Sequence, residues 1–225
     1  MTISKHPSKQ NIKIAIDNCI FTVKDNELYI LLIQMKKVPY NNMWALPGGL
    51  VKDSENLDKA AMRILKEETN VANIYLEQLY TFGETDRDPR GRVISVAYFA
   101  LIPDTNLKLK TIPKYADVKW HKFVDLPKLA YDHNEIAKYA KQRLEWKIEY
   151  SNAVWSLLPT KFTLSQLQKV YESILGQELD KRNFRKKIFK LNIIQATGEK
   201  TIFGAHRPAM LYKFKSTKPQ IVKVL

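Results

Sequence analysis

Residues 48–71, GGLVKDSENLDKAAMRILKEETNV, constrain the fold more than any other stretch of the chain. Gly49, Glu55, Arg63, Glu67 and Glu68 stand at fixed intervals in a segment that opens as a loop and continues as a helix, expected over about 54–69. Asp53 or Ser54 is placed to cap that helix, and Glu55 suits its positive N-terminal end. At 100° per residue, Leu57, Ala61 and Ile64 form one apolar stripe, and Glu68 continues it. A carboxylate on an apolar stripe is costly unless something pairs with it. Glu67 follows Arg63 by four residues, so an ion pair along the helix is available. Asn70 is expected to end the helix in the left-handed region, where Asn is the best substitute for Gly.

Around this segment the pattern alternates strand and helix. Residues 12–23 and 28–36 read as strands joined by a turn at 24–27, and further strands are expected at 74–82, 93–102 and 118–124. Ile136, Ala140 and Leu144, spaced by four, mark a helix over about 133–149. Interleaved strands and helices indicate an α/β architecture. Near 150–160 the text changes, and Pro159 punctuates it, which places a boundary between domains 1–152 and 153–225.

No run approaches 18 apolar residues and the N-terminus lacks an apolar signal core, so a cytoplasmic protein without membrane spans is expected. The lone Cys19 lies in the strand-like run IKIAIDNCIFTV and reads as core packing. The four histidines show no zinc spacing. The formal charge of +14 is uneven: residues 151–225 hold 14 Lys and Arg against 4 Asp and Glu. So basic a terminal third points to a polyanionic partner.

That third has a readable layout. Thr163 caps a helix whose inner face is Leu164, Leu167, Tyr171 and Ile174, and Gly176 stops it. Asp180 caps a second helix with Phe184, Ile188 and Leu191 inward. Its remaining positions include Lys181, Arg182, Asn183, Arg185, Lys186, Lys187 and Lys190. Packing does not explain six basic residues on one short helix, whereas neutralisation by phosphates does. Two capped helices and a short turn form a helix-turn-helix pattern, and NIIQA with AMLYKF forms a β-hairpin wing with Arg207 near its tip or on its return strand. Arg182, Asn183 and Arg185 are then best placed for base edges, and Lys186, Lys187 and Lys190 for phosphates.

The spacing of residues 48–71 resembles the Nudix box, G-x5-E-x7-R-E-U-x-E-E-x-G-U with U apolar. Gly49, Glu55, Arg63, Glu67 and Glu68 fall in register, but Ile64 stands where the box has a carboxylate. In a Nudix hydrolase the carboxylates hold the metal that activates water. With Ile64 there, no catalytic residue is expected: the frame is kept for binding, and Glu67 and Glu68 hold at most a weak, vestigial Mg2+. The segment GETDRDPRGRVISVAYFAL resembles Nudix proteins that handle ADP-ribose-like ligands. Arg87, Arg90 and Arg92 suit phosphate, Asp86 and Asp88 suit sugar hydroxyls, and Trp44 and Phe82 suit a stacking wall.

Both halves, in this order, resemble the Nudix-related transcriptional regulators, with DKRNFRKK and HRPAMLYKF particularly close. The resemblance implies a Nudix-like α/β/α sandwich with a mixed sheet plus a winged helix, a homodimer, and an operator of double-stranded DNA. It implies a small-molecule effector, either an ADP-ribose or NAD-related nucleotide or a pentose sugar. It also carries DNA contact to Arg182, Asn183, Arg185, Lys186 and Arg207, and ligand contact to Arg87, Asp88 and Arg90. The helix at 133–149 is the expected lever between the halves. The competing expectations are a working hydrolase of ADP-ribose-like substrates with an accessory nucleic-acid-binding domain, and an RNA-processing role.

Overall fold

The computed structural model describes residues 11–69 (side chains through 67), 75–103, 109, 113–201 and 208–224. A mixed sheet forms its centre. Its strands are β1 (Lys13–Lys24), β2 (Glu27–Met35), β3 (Trp44–Ala45), β4 (Gly48–Leu50), β5 (Tyr75–Phe82), β6 (Val93–Leu101) and β7 (Tyr115–Lys122). The order β3-β2-β1-β6-β5 is extended by β4 on β1 and β7 on β2. The central pair, β1 with β6, is parallel, and the other described strand pairs of the sheet are antiparallel.

The expected turn at 24–27 is a two-residue hairpin. Asp25 and Asn26 have φ of 50° and 60°, a left-handed pair that small polar side chains tolerate. The sequence pattern misses β3 and β4, which are too short to show a period and lie in a Pro- and Gly-rich loop.

Side chains alternate along β1, and the alternation builds the layers. Ile16 packs with Ala60, Ala61 and Ile64 of α1 (Leu57–Thr69) on one face of the sheet. Cys19, Phe21 and Val23 point to the other face, where α2 (His133–Tyr150) lies with Ile136, Ala137, Ala140, Leu144 and Ile148 inward. Cys19 is fully buried there, with its sulfur 4.0 Å from the carbonyl of Ile136. The cap of α1 is neither Asp53 nor Ser54. Asn56 accepts the backbone N–H of Lys59 at 2.9 Å, so the helix starts three residues later than the sequence reading places it.

After a 3₁₀ turn at Ala153–Leu157 come α3 (Leu164–Leu175), α4 (Lys181–Leu191) and the hairpin β8 (Ile194–Thr201) and β9 (Ala209–Phe214). Thr163 and Gln166 form a reciprocal capping box on α3, and Gly176 closes it at φ 67°. Asp180 accepts the Asn183 N–H at the start of α4. α3 also packs on β1 and β2, so the apolar core runs unbroken from the sheet through α2 into α3 and α4. The end of the chain returns to this joint. Val222 and Val224 donate backbone N–H groups to Tyr150 and Glu149, and Asn152 binds the segment 216–220. Among the described residues no helix is long and apolar enough to cross a membrane.

Candidate functional site

At the box, Arg63 is the organiser. Its fork donates to both oxygens of Glu55, at 2.9 and 2.6 Å, and to the carbonyl of Leu50 at 3.2 Å. Its other nitrogen lies 3.5 Å from Glu67, which gives the expected i,i+4 pair. The Arg63 fork, helped by the Lys52 N–H, holds the Glu55 carboxyl down at about 2. Ile64 is 2% exposed and packs with Ile16, Val96 and Tyr98 beneath Gly49, where an added Cβ would lie 3.6 Å from its Cδ1. Glu55 is therefore occupied as a structural clamp, Ile64 offers no oxygen, and Glu67 faces solvent. The side chain of Glu68 lies outside the described residues. Among those described, no group of three His, Cys, Asp or Glu is arranged to hold a metal.

Next to the box opens a cavity of about 520 Å³, between the start of β1, the β4 loop, the 87–93 loop and the N-terminus of α2. Its floor is a buried charge network. The hydroxyl of Ser95 donates to Asp17 at 2.5 Å, and Arg87 donates to Asp17 at 3.3 Å. Arg87 also grips Asp132 with two bonds of 2.8 and 2.7 Å. His133 accepts the Leu46 N–H on Nδ1 at 2.9 Å, which leaves Nε2, 3.5 Å from Asp17, to carry the proton. Burial alone would raise the Asp17 carboxyl, but His133, Ser95 and Arg87 together hold it down at about 2. Gly48 is dictated by this floor: a Cβ there would lie 2.3 Å from Asp17 Oδ1.

The rim is basic and aromatic. Arg90, 58% exposed at its side chain, clamps the buried Asp88 with Nε and a terminal nitrogen and bonds the Tyr131 hydroxyl at 2.6 Å. Burial works against the Asp88 charge, and the Arg90 bonds overcome it and lower its pKa. Tyr131 holds φ 55°, an uncommon backbone for an aromatic residue, with its ring 4.3 Å from that of Tyr40 and 5.0 Å from His133. Lys13, Arg92 and Lys114 complete the basic lining. Arg92 donates to the carbonyls of Gly83 and Glu84, and Lys114 to that of Gly48.

Of the residues read from sequence, Arg87, Asp88 and Arg90 are brought together at this cavity, though Arg87 serves as a buried strut and Arg90 is the exposed member. Trp44 and Phe82 are not among the residues that line this cavity. Strand alternation turns Ala45 inward and sends Trp44 against His121, while Phe82 packs on Tyr80 and Tyr139. Tyr131 holds the aromatic place at the rim. Asp17, Asp132 and His133 were missed. Asp17 did leave a signal, a carboxylate in the middle of the apolar run IKIAIDNCIF.

The second site is α4. Phe184 and Ile188 are buried, and Lys181, Arg182, Asn183, Lys186 and Lys190 are exposed. Arg185 and Lys187 flank them, half-buried. None of the six basic side chains forms an ion pair among the described residues, so their charge is available to a partner. Arg207 and the hairpin tip lie outside the described residues.

Comparison with known proteins matches this layout. Residues 13–143 match the NUDIX domain family, and residues 154–214 match the NrtR DNA-binding winged helix domain. The ADPR responsive transcriptional repressor NtrR of Acinetobacter baylyi is 39% identical over 207 residues, covering 89% of this chain and 81% of the relative. The crystal structure of Shewanella oneidensis NrtR complexed with a 27mer DNA superposes with a TM-score of 0.81 at 35% identity, covering 90% of this chain and 93% of that one. The NUDIX domain of the same Shewanella protein, complexed with ADP ribose, aligns at 34% identity and TM-score 0.55, covering 62% of this chain and 94% of that one. With its pocketed Nudix domain joined to a basic winged helix, the chain belongs to the Nudix-related transcriptional regulators, ligand-responsive proteins that bind DNA.

Proposed function

We propose that the effector of this regulator is ADP-ribose or a closely related nucleoside diphosphate, received in the cavity beside the box, and that the box itself does not turn it over. The observation that carries this reading is the lining of the cavity. Basic Lys13, Arg90, Arg92 and Lys114 surround a polar floor of Asp17, Arg87 and His133. Guanidinium and ammonium groups suit a diphosphate, buried carboxylates suit ribose hydroxyls, and the volume far exceeds what a pentose fills. The names of the Acinetobacter and Shewanella relatives point the same way. Within this reading Arg90 and Asp88 touch ligand, and Arg87 positions the floor.

Binding is productive only if the ligand prefers one arrangement of the two halves. α2 carries Asp132 and His133 at the cavity and ends beside the reader, so it is the lever. Residues 1–152 then serve as sensor and 153–225 as reader, in a cytoplasmic homodimer. Lys181, Arg182, Asn183, Arg185, Lys186, Lys190 and Arg207 face the operator. Half-sites of a twofold dimer would lie about 34 Å apart or a multiple of that. No cofactor is required, and Glu67 with Glu68 is what remains for a weakly held Mg2+.

The test is duplex binding to the DNA upstream of the chain's own coding sequence, titrated with ADP-ribose, NAD, arabinose and xylose. A specific complex released or strengthened by ADP-ribose alone supports the proposal. A response to the sugars alone would replace the effector. Magnesium-dependent consumption of ADP-ribose, reduced by Glu67→Gln, would restore the hydrolase reading.

A further inference from the structure

One side chain on α4 does not belong with its neighbours. Phe189 is 50% exposed, on a helix whose other solvent-facing positions are Lys181, Arg182, Asn183, Lys186 and Lys190. The inward side of α4 is already filled by Phe184 and Ile188, so the core does not need Phe189. At 100° per residue it falls on the outer arc, four residues after Arg185 and seven after Arg182, along the same edge of the helix. Its ring lies 5.8 Å from that of Tyr212 on β9, so this edge is the one that faces the wing. Half of the side chain stays open inside a strongly basic surface, where a partner that covered it would remove apolar area from water.

We propose that Phe189 is a DNA-contacting residue that supplies an apolar contact to the duplex at the groove wall between recognition helix and wing, covering a thymine methyl or a deoxyribose face. This rests on α4 reading duplex DNA. The charge around Phe189 selects the partner: the basic residues along the same arc draw in phosphates, and what lies between phosphate rows at the wall of a major groove is sugar C–H and thymine methyl. Tyr212 braces the ring from the wing side and limits its rotamers, so the contact is made without ordering a free side chain.

The experiment uses the full chain and a duplex that the wild type selects from a random-sequence pool. Affinities of wild type, Phe189→Gln, Phe189→Leu and Lys186→Ala are measured across a series of salt concentrations. Phe189→Gln is expected to weaken binding about tenfold at every salt concentration with an unchanged salt slope, because no phosphate contact is lost. Phe189→Leu keeps most of the affinity, and Lys186→Ala flattens the slope by about one. Repeating the measurement on the same duplex with uracil in place of thymine separates the two sources. A Phe189→Gln loss that vanishes there identifies the methyl, and one that persists identifies the sugar. Wild-type affinity in Phe189→Gln, equal losses in the Gln and Leu variants, or a changed slope would overturn the proposal. A wild-type chain that selects no duplex would instead remove the DNA-reading assignment beneath it.

Discussion

Two buried residues decide what the sensor can do. Ile64 is enclosed by Ile16, Val96 and Tyr98, so restoring a carboxylate by Ile64→Glu would bury a charge among apolar side chains. We expect that variant to lose about 2 kcal/mol or more of stability without gaining hydrolysis. Denaturant unfolding checks the first part and product release from ADP-ribose the second. Asp17 makes the opposite case, a buried carboxylate kept charged by its partners. Its folded pKa of about 2 lies below its ordinary 3.8, so its contribution to stability is complete above the ordinary value and is lost as pH falls towards 2. An acid titration of unfolding should therefore show a falling limb between about pH 4 and 2 that is shallower in Asp17→Asn. The same residue shows why the cavity floor was hard to read in advance. Its partners Arg87, Ser95 and His133 lie 70, 78 and 116 positions away, and no local spacing announces such a meeting.

Elements follow the same division between local and distant causes. The ends of α3 and α4 were legible because Thr163, Gly176 and Asp180 act on backbone groups within a few residues of themselves. Thr163→Ala should cost about 1 kcal/mol, read as a lower denaturant midpoint with unchanged slope. The start of α1 was misplaced because Asp53, Ser54 and Asn56 are all acceptable caps, and the choice was made by Arg63 pulling Glu55 back into the loop. Residue type alone offers Trp44 and Phe82 as a stacking wall. Which face of a strand they occupy depends on a register set by distant pairing, Trp44 opposite Gln34 and Phe82 opposite Ser95. α2 has an end in each half: its N-terminus holds Arg87 and Asp17, and its C-terminus holds the returning tail. Asp132→Asn should keep the fold and the duplex affinity of the free protein but reduce the effector's influence on that affinity, measured as the ratio of duplex dissociation constants with and without ADP-ribose.

At the scale of the whole molecule, the alternation of β1 puts α2 and the reader on one face of the sheet and α1 on the other. Because one apolar cluster joins sheet and reader, tryptophan fluorescence and far-UV circular dichroism should report a single coincident unfolding transition. Leu167→Ala, at a fully buried position of α3, should lower that one transition by about 2–5 kcal/mol and not melt the reader alone.

The unbroken core also bears on how such proteins can be rebuilt. A winged helix joined by a linker could be exchanged like a cassette, leaving the sensor untouched. Here one apolar cluster holds Phe21, Val23, Leu28 and Ile30 of the sheet together with Leu164, Leu167 and Tyr171, and α3 packs on β1 and β2. A chimera that swaps operators must therefore carry the matching strand residues with the transplanted helices, or change only the outward positions of α4 and leave its inner face alone.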